Sequence, residues 1–238
     1  MRRVPGTLEH MAQRLRGSFS DRRLAVVAAL ALLTLFTLAM LAARMAYTGT
    51  RGHGWLAWNL FLAWIPFALA LLLYALARAG APLRALVPFG LLWLVFFPNA
   101  PYLVTDLKHI GPGGRVPVLY DVLLLSAAAW TGLLLGLTSL FLVHMVVRRL
   151  VGAVNAWALV VAVLALSSFG IYLGRVQRWN SWDVVANPVP LGAQLLQGLA
   201  HPIDYPRPLG LTVLLTSLLL TSYLVLYSFA RLSSLTRD

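Results

Sequence analysis

Four short stretches carry most of the side chains with which this chain could do chemistry. They are Trp58-Asn59, the run from Phe97 to Leu107 (Phe-Pro-Asn-Ala-Pro-Tyr-Leu-Val-Thr-Asp-Leu), Tyr120-Asp121, and Gly170 to Asp183, which contains Arg175, Arg178, Trp179, Asn180, Trp182 and Asp183. Arginine presents a planar fork that matches carboxylate or phosphate and stacks on indole faces. Arg175 and Arg178 beside Trp179 and Trp182 therefore suit an anion or a lipid headgroup. Asp106 and Asp121 are the candidate acid/base groups. Asn59, Asn99, Tyr102 and Tyr120 supply neutral hydrogen-bonding partners, and Asn180 and Asp183 extend the arginine cluster. A plainer reading stands beside this one: an interfacial belt in which Arg snorkels, Trp anchors, and Asp106 or Asp183 pairs with an arginine to close one end of a bundle.

Spacing sharpens both readings. With Asn99 as an N-cap, a short helix runs from Ala100 to Ile110 and stops at Gly111-Pro112-Gly113-Gly114. Tyr102, Asp106 and His109 then share one face. The alternative is that Pro98 and Pro101 kink a continuing helix. If the helix before Gly174 also continues, Arg175, Arg178 and Trp182 share a face, with Trp179 beside them and Asp183 one turn beyond it. Asp121, near the start of an apolar run, needs a partner if it lies in the bilayer, and Arg175 or Arg178 is the expected one. Asp106, His109, Asp121 and Asp183 could be offered to a metal, but only Asp106 and His109 have ligand-like spacing, so no metal or cofactor is expected. The sequence has no cysteine, and it shows no phosphate loop, HExxH or GxSxG pattern.

The elements that must position these residues are six apolar runs: Leu24–Ala46, Trp55–Ala77, Leu83–Phe97, Val118–Leu142, Asn155–Gly174 and Leu209–Ala230. A helix crossing a bilayer core needs about 20 apolar residues. Five runs meet that length. The third meets it only if its helix passes through Pro98 and Pro101. Of the 238 residues, 60% are hydrophobic and 11% charged, which leaves no polar faces for six water-exposed helices. Long runs without polar alternation also exclude a membrane β-barrel. The expected fold is all-α: a polytopic bundle of six transmembrane helices, with one or two short interfacial helices on the outer side. Residues 1–23 read as a basic arm and residues 24–238 as one membrane domain. The first run is longer than a signal-peptide core and lacks a clear cleavage site, so it reads as a retained helix.

The formal charge of +12 is not a nucleic-acid signal, because the basic residues cluster at the ends of the runs. Twelve fall on the side of the termini and seven on the other. The cytoplasmic excess of Lys and Arg then puts both termini in the cytoplasm of a cell membrane and the four polar stretches toward the outer face. Eighteen of the nineteen basic residues are Arg, as expected of a GC-rich bacterial genome. Gly132 with Gly136 and Gly170 with Gly174 form small-xxx-small pairs, which would let the neighbouring fourth and fifth helices approach closely. His144 reads as a residue snorkelling at the opposite end.

The strings Asn59 to Pro66, Phe97 to Leu107, Tyr120-Asp121, Gly170 to Arg175 and Arg178-Trp179-Asn180-Ser181-Trp182-Asp183 resemble the bacterial membrane family catalogued as domain of unknown function 1361. The resemblance spans residues 50–230. It implies an integral membrane protein and carries no reaction with it. Three functions are compatible with the residues. The first is a binding or assembly site for a lipid headgroup or another membrane protein. The second is a membrane enzyme acting on a lipid or lipid-linked substrate at the outer leaflet, with Asp106 or Asp121 as acid/base and an arginine stabilising anionic charge. The third is a small transporter with helices broken at Pro66 and Pro98.

Overall fold

The computed structural model describes residues 21–111, 116–176, 186–187, 189, 192–193 and 206–235. Six long helices dominate these residues: α1 (Asp21–Thr48), α2 (Trp55–Arg78), α3 (Leu83–Phe96), α4 (Val118–Val151), α5 (Ala153–Val176) and α6 (Pro206–Leu235). Six segments are long and apolar enough to cross a membrane, the third running from Leu83 to His109. The chain is therefore a multi-pass α-helical membrane protein.

The third span reaches its length by staying helical through its prolines. Phe97 and Pro98 keep right-handed helical dihedrals between α3 and a single turn, Asn99–Tyr102, and a 3₁₀ segment follows over Leu103–His109. Each proline removes one N–H from the helical ladder. The Phe97 carbonyl, which Pro101 cannot reach, accepts instead from the Ala100 N–H at 3.2 Å, and tightening begins there. Asn99 is not the cap of a new helix. It lies inside the continuing one, and its Nδ2 donates to the Phe96 carbonyl at 3.0 Å. The segment after Pro98 is thus a tightened continuation of the third span, where a separate short helix was expected. Pro66 does not break its helix either: α2 runs unbroken past it. That removes one of the two interruptions on which the transporter reading relied.

α4 is the hub of the bundle. It packs against α1, α2, α5, α6 and the 99–109 segment, and it has the largest buried share of the six spans. Its small residues explain where the tightened segment lies. A β-carbon on Gly132 would collide with the Ala100 carbonyl oxygen and come within 2.6 Å of Leu103 Cδ1, while one on Gly136 would meet Ala100 Cβ at 3.3 Å. The Gly132/Gly136 notch therefore receives Ala100–Leu103, and not α5 as its spacing suggested. Gly170 of α5 faces Pro98 of the same segment, with ordinary clearance of 3.6 Å for an added β-carbon. The third span is clasped between two glycine-bearing helices, which fixes the depth and rotation of the residues that follow it.

Several hydroxyls inside the spans are bonded to their own backbone. Thr34, Thr37, Thr131 and Ser168 each donate to the carbonyl four residues earlier, as a solvent without water requires. Trp64 Nε1 donates to Thr34 Oγ1 at 3.1 Å and ties α2 to α1. Trp93 Nε1 donates to Ser139 Oγ at 3.4 Å and ties α3 to α4.

Candidate functional site

The 3₁₀ segment sets the site. At three residues per turn, side chains three apart eclipse. Ala100, Leu103 and Asp106 form the inward stripe, and all three are fully buried. Tyr102 and Thr105 form the adjacent stripe. At helical pitch Tyr102 and Asp106 would share a face; tightening separates them and turns Asp106 into the bundle.

Arg175, at the end of α5, engages both stripes. Its guanidinium forms an ion pair with Asp106, and its Nε donates to Thr105 Oγ1 at 2.9 Å. It also stacks over the Tyr102 ring, with Cζ 4.1 Å from the centroid. Thr105 Oγ1 in turn donates to the Tyr102 carbonyl at 2.7 Å. From α2, Asn59 Nδ2 donates to the second Asp106 oxygen at 3.1 Å. One buried carboxylate therefore joins α2, the third span and α5. The Arg175 side chain keeps 12% of its surface exposed, while that of Asp106 keeps none. Both oxygens of the carboxylate are thereby taken up by bonds from neighbouring elements.

A second charge pair stands at the same end. Arg44, in the last turns of α1, meets Asp121 in the first turn of α4 as a two-pronged fork, Nε to Oδ1 at 2.6 Å and Nη2 to Oδ2 at 3.0 Å. Both side chains are less than a tenth exposed. This corrects the expected pairing of Asp121 with Arg175 or Arg178: the start of α4 lies against the end of α1, and Arg175 is taken up by Asp106. Tyr120 donates its hydroxyl to the Met40 carbonyl at 2.7 Å, reinforcing the α1–α4 contact. His53, in the loop between α1 and α2, lies in the field of Arg44, Asp121 and His109; burial above all, then the two cationic neighbours, pushes its pKa down, while Asp121 pulls it up. Both of its ring nitrogens are buried without a hydrogen-bond partner. His53 stacks on Trp55, whose ring lies 4.9 Å from that of His109.

Of the residues singled out from sequence, the structure brings Asn59, Tyr102, Asp106 and Arg175 into one cluster. It puts Tyr120 and Asp121 in a neighbouring one and leaves Asn99 bonded to its own helix. Arg178, Trp179, Asn180, Trp182 and Asp183 lie outside the described residues. Among the described residues, no three His, Cys, Asp or Glu side chains come together as a metal site. Two participants were missed. Thr105 is a hydroxyl beside an aspartate, a weak signal. Arg44 carried a stronger one: a cation four residues before the end of a helix, for which the bilayer demands an anion. At the other end, His144 is fully buried and does not snorkel. Its Nδ1 lies 2.6 Å from the Tyr223 hydroxyl, inside a ring of Trp157, Tyr223 and Tyr227.

Fold and site together define a polytopic α-helical membrane protein with two buried Arg–Asp pairs at one end of its bundle. The pattern of the family described as "Protein of unknown function (DUF1361)" matches residues 58–222, and the chain belongs to that family. That stretch contains the entire Asn59–Tyr102–Thr105–Asp106–Arg175 cluster and Asp121, but not Arg44. No curated protein matches the chain. No solved structure matches it.

Proposed function

We propose that this protein is a membrane-embedded binding or assembly protein, and that the Asn59–Tyr102–Thr105–Asp106–Arg175 cluster holds a lipid headgroup or a membrane partner at the outer face. The observation that carries this reading is the buried Asp106–Arg175 pair with Asn59 on its far oxygen. The pair fixes a guanidinium at the rim, stacked on Tyr102 and anchored to Thr105, with 12% of its side-chain surface exposed. A preorganised guanidinium binds phosphate or carboxylate with little loss of side-chain freedom. Both aspartates are already occupied by arginines, which favours binding over acid/base catalysis. The distribution of basic residues supports placing both termini in the cytoplasm and this cluster on the outer side. Residues 1–23 are then a cytoplasmic arm, on whose basic stretch anionic lipid would act.

Complementation of a deletion strain tests the reading. Asp106→Asn and Asp121→Asn should lower the cellular phenotype only in step with the amount of folded protein. Loss of phenotype at normal protein amount and unfolding temperature would favour an enzyme instead. A photoactivatable anionic phospholipid should label the peptides covering 97–109 and 171–176, and Arg175→Gln should lower that labelling. Equal labelling in the wild type and the variant would contradict a binding role for Arg175.

A further inference from the structure

Two contacts form successive rungs where α2 meets the third span. Trp55 and Asn59, four apart on α2, share a face. Asp106 and His109, three apart in the 3₁₀ segment, eclipse. Asn59 reaches Asp106 at 3.1 Å, and the Trp55 and His109 rings lie 4.9 Å apart. Because α2 begins at Trp55 and the 3₁₀ segment ends at His109, the aromatic rung is the outer of the two. Asp106, one rung further in, is fully buried.

His53 extends this rung into a layer. It comes from the loop between α1 and α2 and stacks on Trp55, with centroids 5.9 Å apart and planes inclined by 29°. Both of its ring nitrogens are sealed from solvent without a hydrogen-bond partner. The charged and titratable groups around it are Arg44 of α1, Asp121 of α4 and His109 of the third span. Asp121 is the anion among them, and Arg44 already takes both of its oxygens. Around His109 stand Lys108, Arg175 and Asp106, and Asp106 is likewise bonded on both oxygens. A neutral imidazole in this layer leaves one N–H unpaired. An imidazolium leaves two, and adds a charge beside Arg44 with no acceptor to receive it. Turning out to water relieves that cost. Gly52 and Gly54 flank His53, so no neighbouring side chain holds its turn in place.

We propose that the His53–Trp55–His109 layer is a lid over the Asp106–Arg175 cluster, that a proton on His53 opens it, and that the open state admits an anionic headgroup. The opening is a property of this chain alone; the admission of a headgroup rests on the function proposed above. The lid is closed while His53 is neutral and opens as the pH on its side of the membrane falls.

Hydrogen–deuterium exchange of the purified full chain in detergent tests the opening, at about pH 7.5 and about pH 5.5, with rates corrected for the intrinsic pH dependence of amide exchange. The Leu56 N–H donates to the His53 carbonyl at 3.0 Å and the Ala57 N–H to the Gly54 carbonyl at 3.2 Å, so a peptide covering 50–60 reports on the loop. One imidazole that titrates near its ordinary value when open, and stays neutral when closed, should speed exchange there about tenfold over this range. A peptide within 132–140 of α4 should not change. His53→Gln should abolish the step. Trp55→Leu, which removes the ring on which His53 stacks, should exchange rapidly at both pH values, and it serves should His53→Gln fail to fold. A wild type without the step, the same step in His53→Gln, or an equal acceleration in α4 would each overturn the lid. Labelling of the 97–109 peptide by a photoactivatable phosphatidylglycerol should rise several-fold at the lower pH. Unchanged labelling beside a lid that opens would overturn its control of entry. No labelling at either pH would overturn the binding function and leave the acid opening standing.

Discussion

Arg44 and Asp121 meet through two parallel hydrogen bonds of 2.6 and 3.0 Å, seventy-seven residues apart in sequence and joined across the α1–α4 contact. α1 is among the least buried of the spans, so this fork is a large part of what fixes its rotation. Removing one partner of a buried pair leaves an uncompensated charge and costs about 3–5 kcal/mol. Arg44→Met and Asp121→Asn should each lower the unfolding free energy by that order, and Arg44→Met/Asp121→Leu should recover most of the loss. Thermal unfolding in detergent checks this. A double variant no more stable than either single one would argue against the pairing.

Gly132 sets how closely α4 approaches the third span. Adding a methyl there drives a carbon into the Ala100 backbone and Leu103, whereas at Gly136 it meets Ala100 Cβ at the edge of normal contact. Gly132→Ala should therefore destabilise by about 1–3 kcal/mol, the usual cost of overpacking, and Gly136→Ala by distinctly less. The comparison needs only the two unfolding temperatures. Equal effects would mean that the notch does not seat Ala100–Leu103.

The loop histidine makes rim stability depend on pH. His53 has a folded-state pKa below its ordinary value of 6.5, from burial and from the neighbouring cations Arg44 and His109, opposed by Asp121. The unfolded chain then binds the proton more readily than the folded one. The stability tied to neutral His53 is fully present above that ordinary value and is lost as pH falls through the folded pKa. Unfolding temperature should decline on acidification below about pH 6.5, the range in which a free imidazole titrates. His53→Gln should flatten the decline. An identical acid profile in that variant would assign the effect to other groups.

Much of the architecture was legible in the sequence because the bilayer is a demanding solvent: runs of Leu, Ala and Val such as Leu24–Ala46 have no other stable home. The positions of Asn59, Asp106 and Arg175 near helix ends were legible for the same reason, since charge is excluded from the middle. What could not be read was which faces meet. Asp106 turns inward because Pro98 and Pro101 force a change of pitch, and no pattern with a period of 3.6 encodes that change. Asp121 pairs with Arg44 because α1 packs on α4, a long-range choice made by hundreds of weak contacts. His144 is one residue with no local motif, and its partner Tyr223 lies on another helix 79 positions away.

The account depends most on the Asp106–Arg175 pair as the junction of α2, the third span and α5. A double-mutant cycle tests it most directly: unfolding free energies of the wild type, Asp106→Asn, Arg175→Gln and the double variant, measured in one detergent. Residues in direct ionic contact should show a coupling on the order of 2 kcal/mol, with the double variant losing far less than the sum of the singles. Strictly additive losses would mean that the two side chains do not meet, and the rim site built on their contact would not exist.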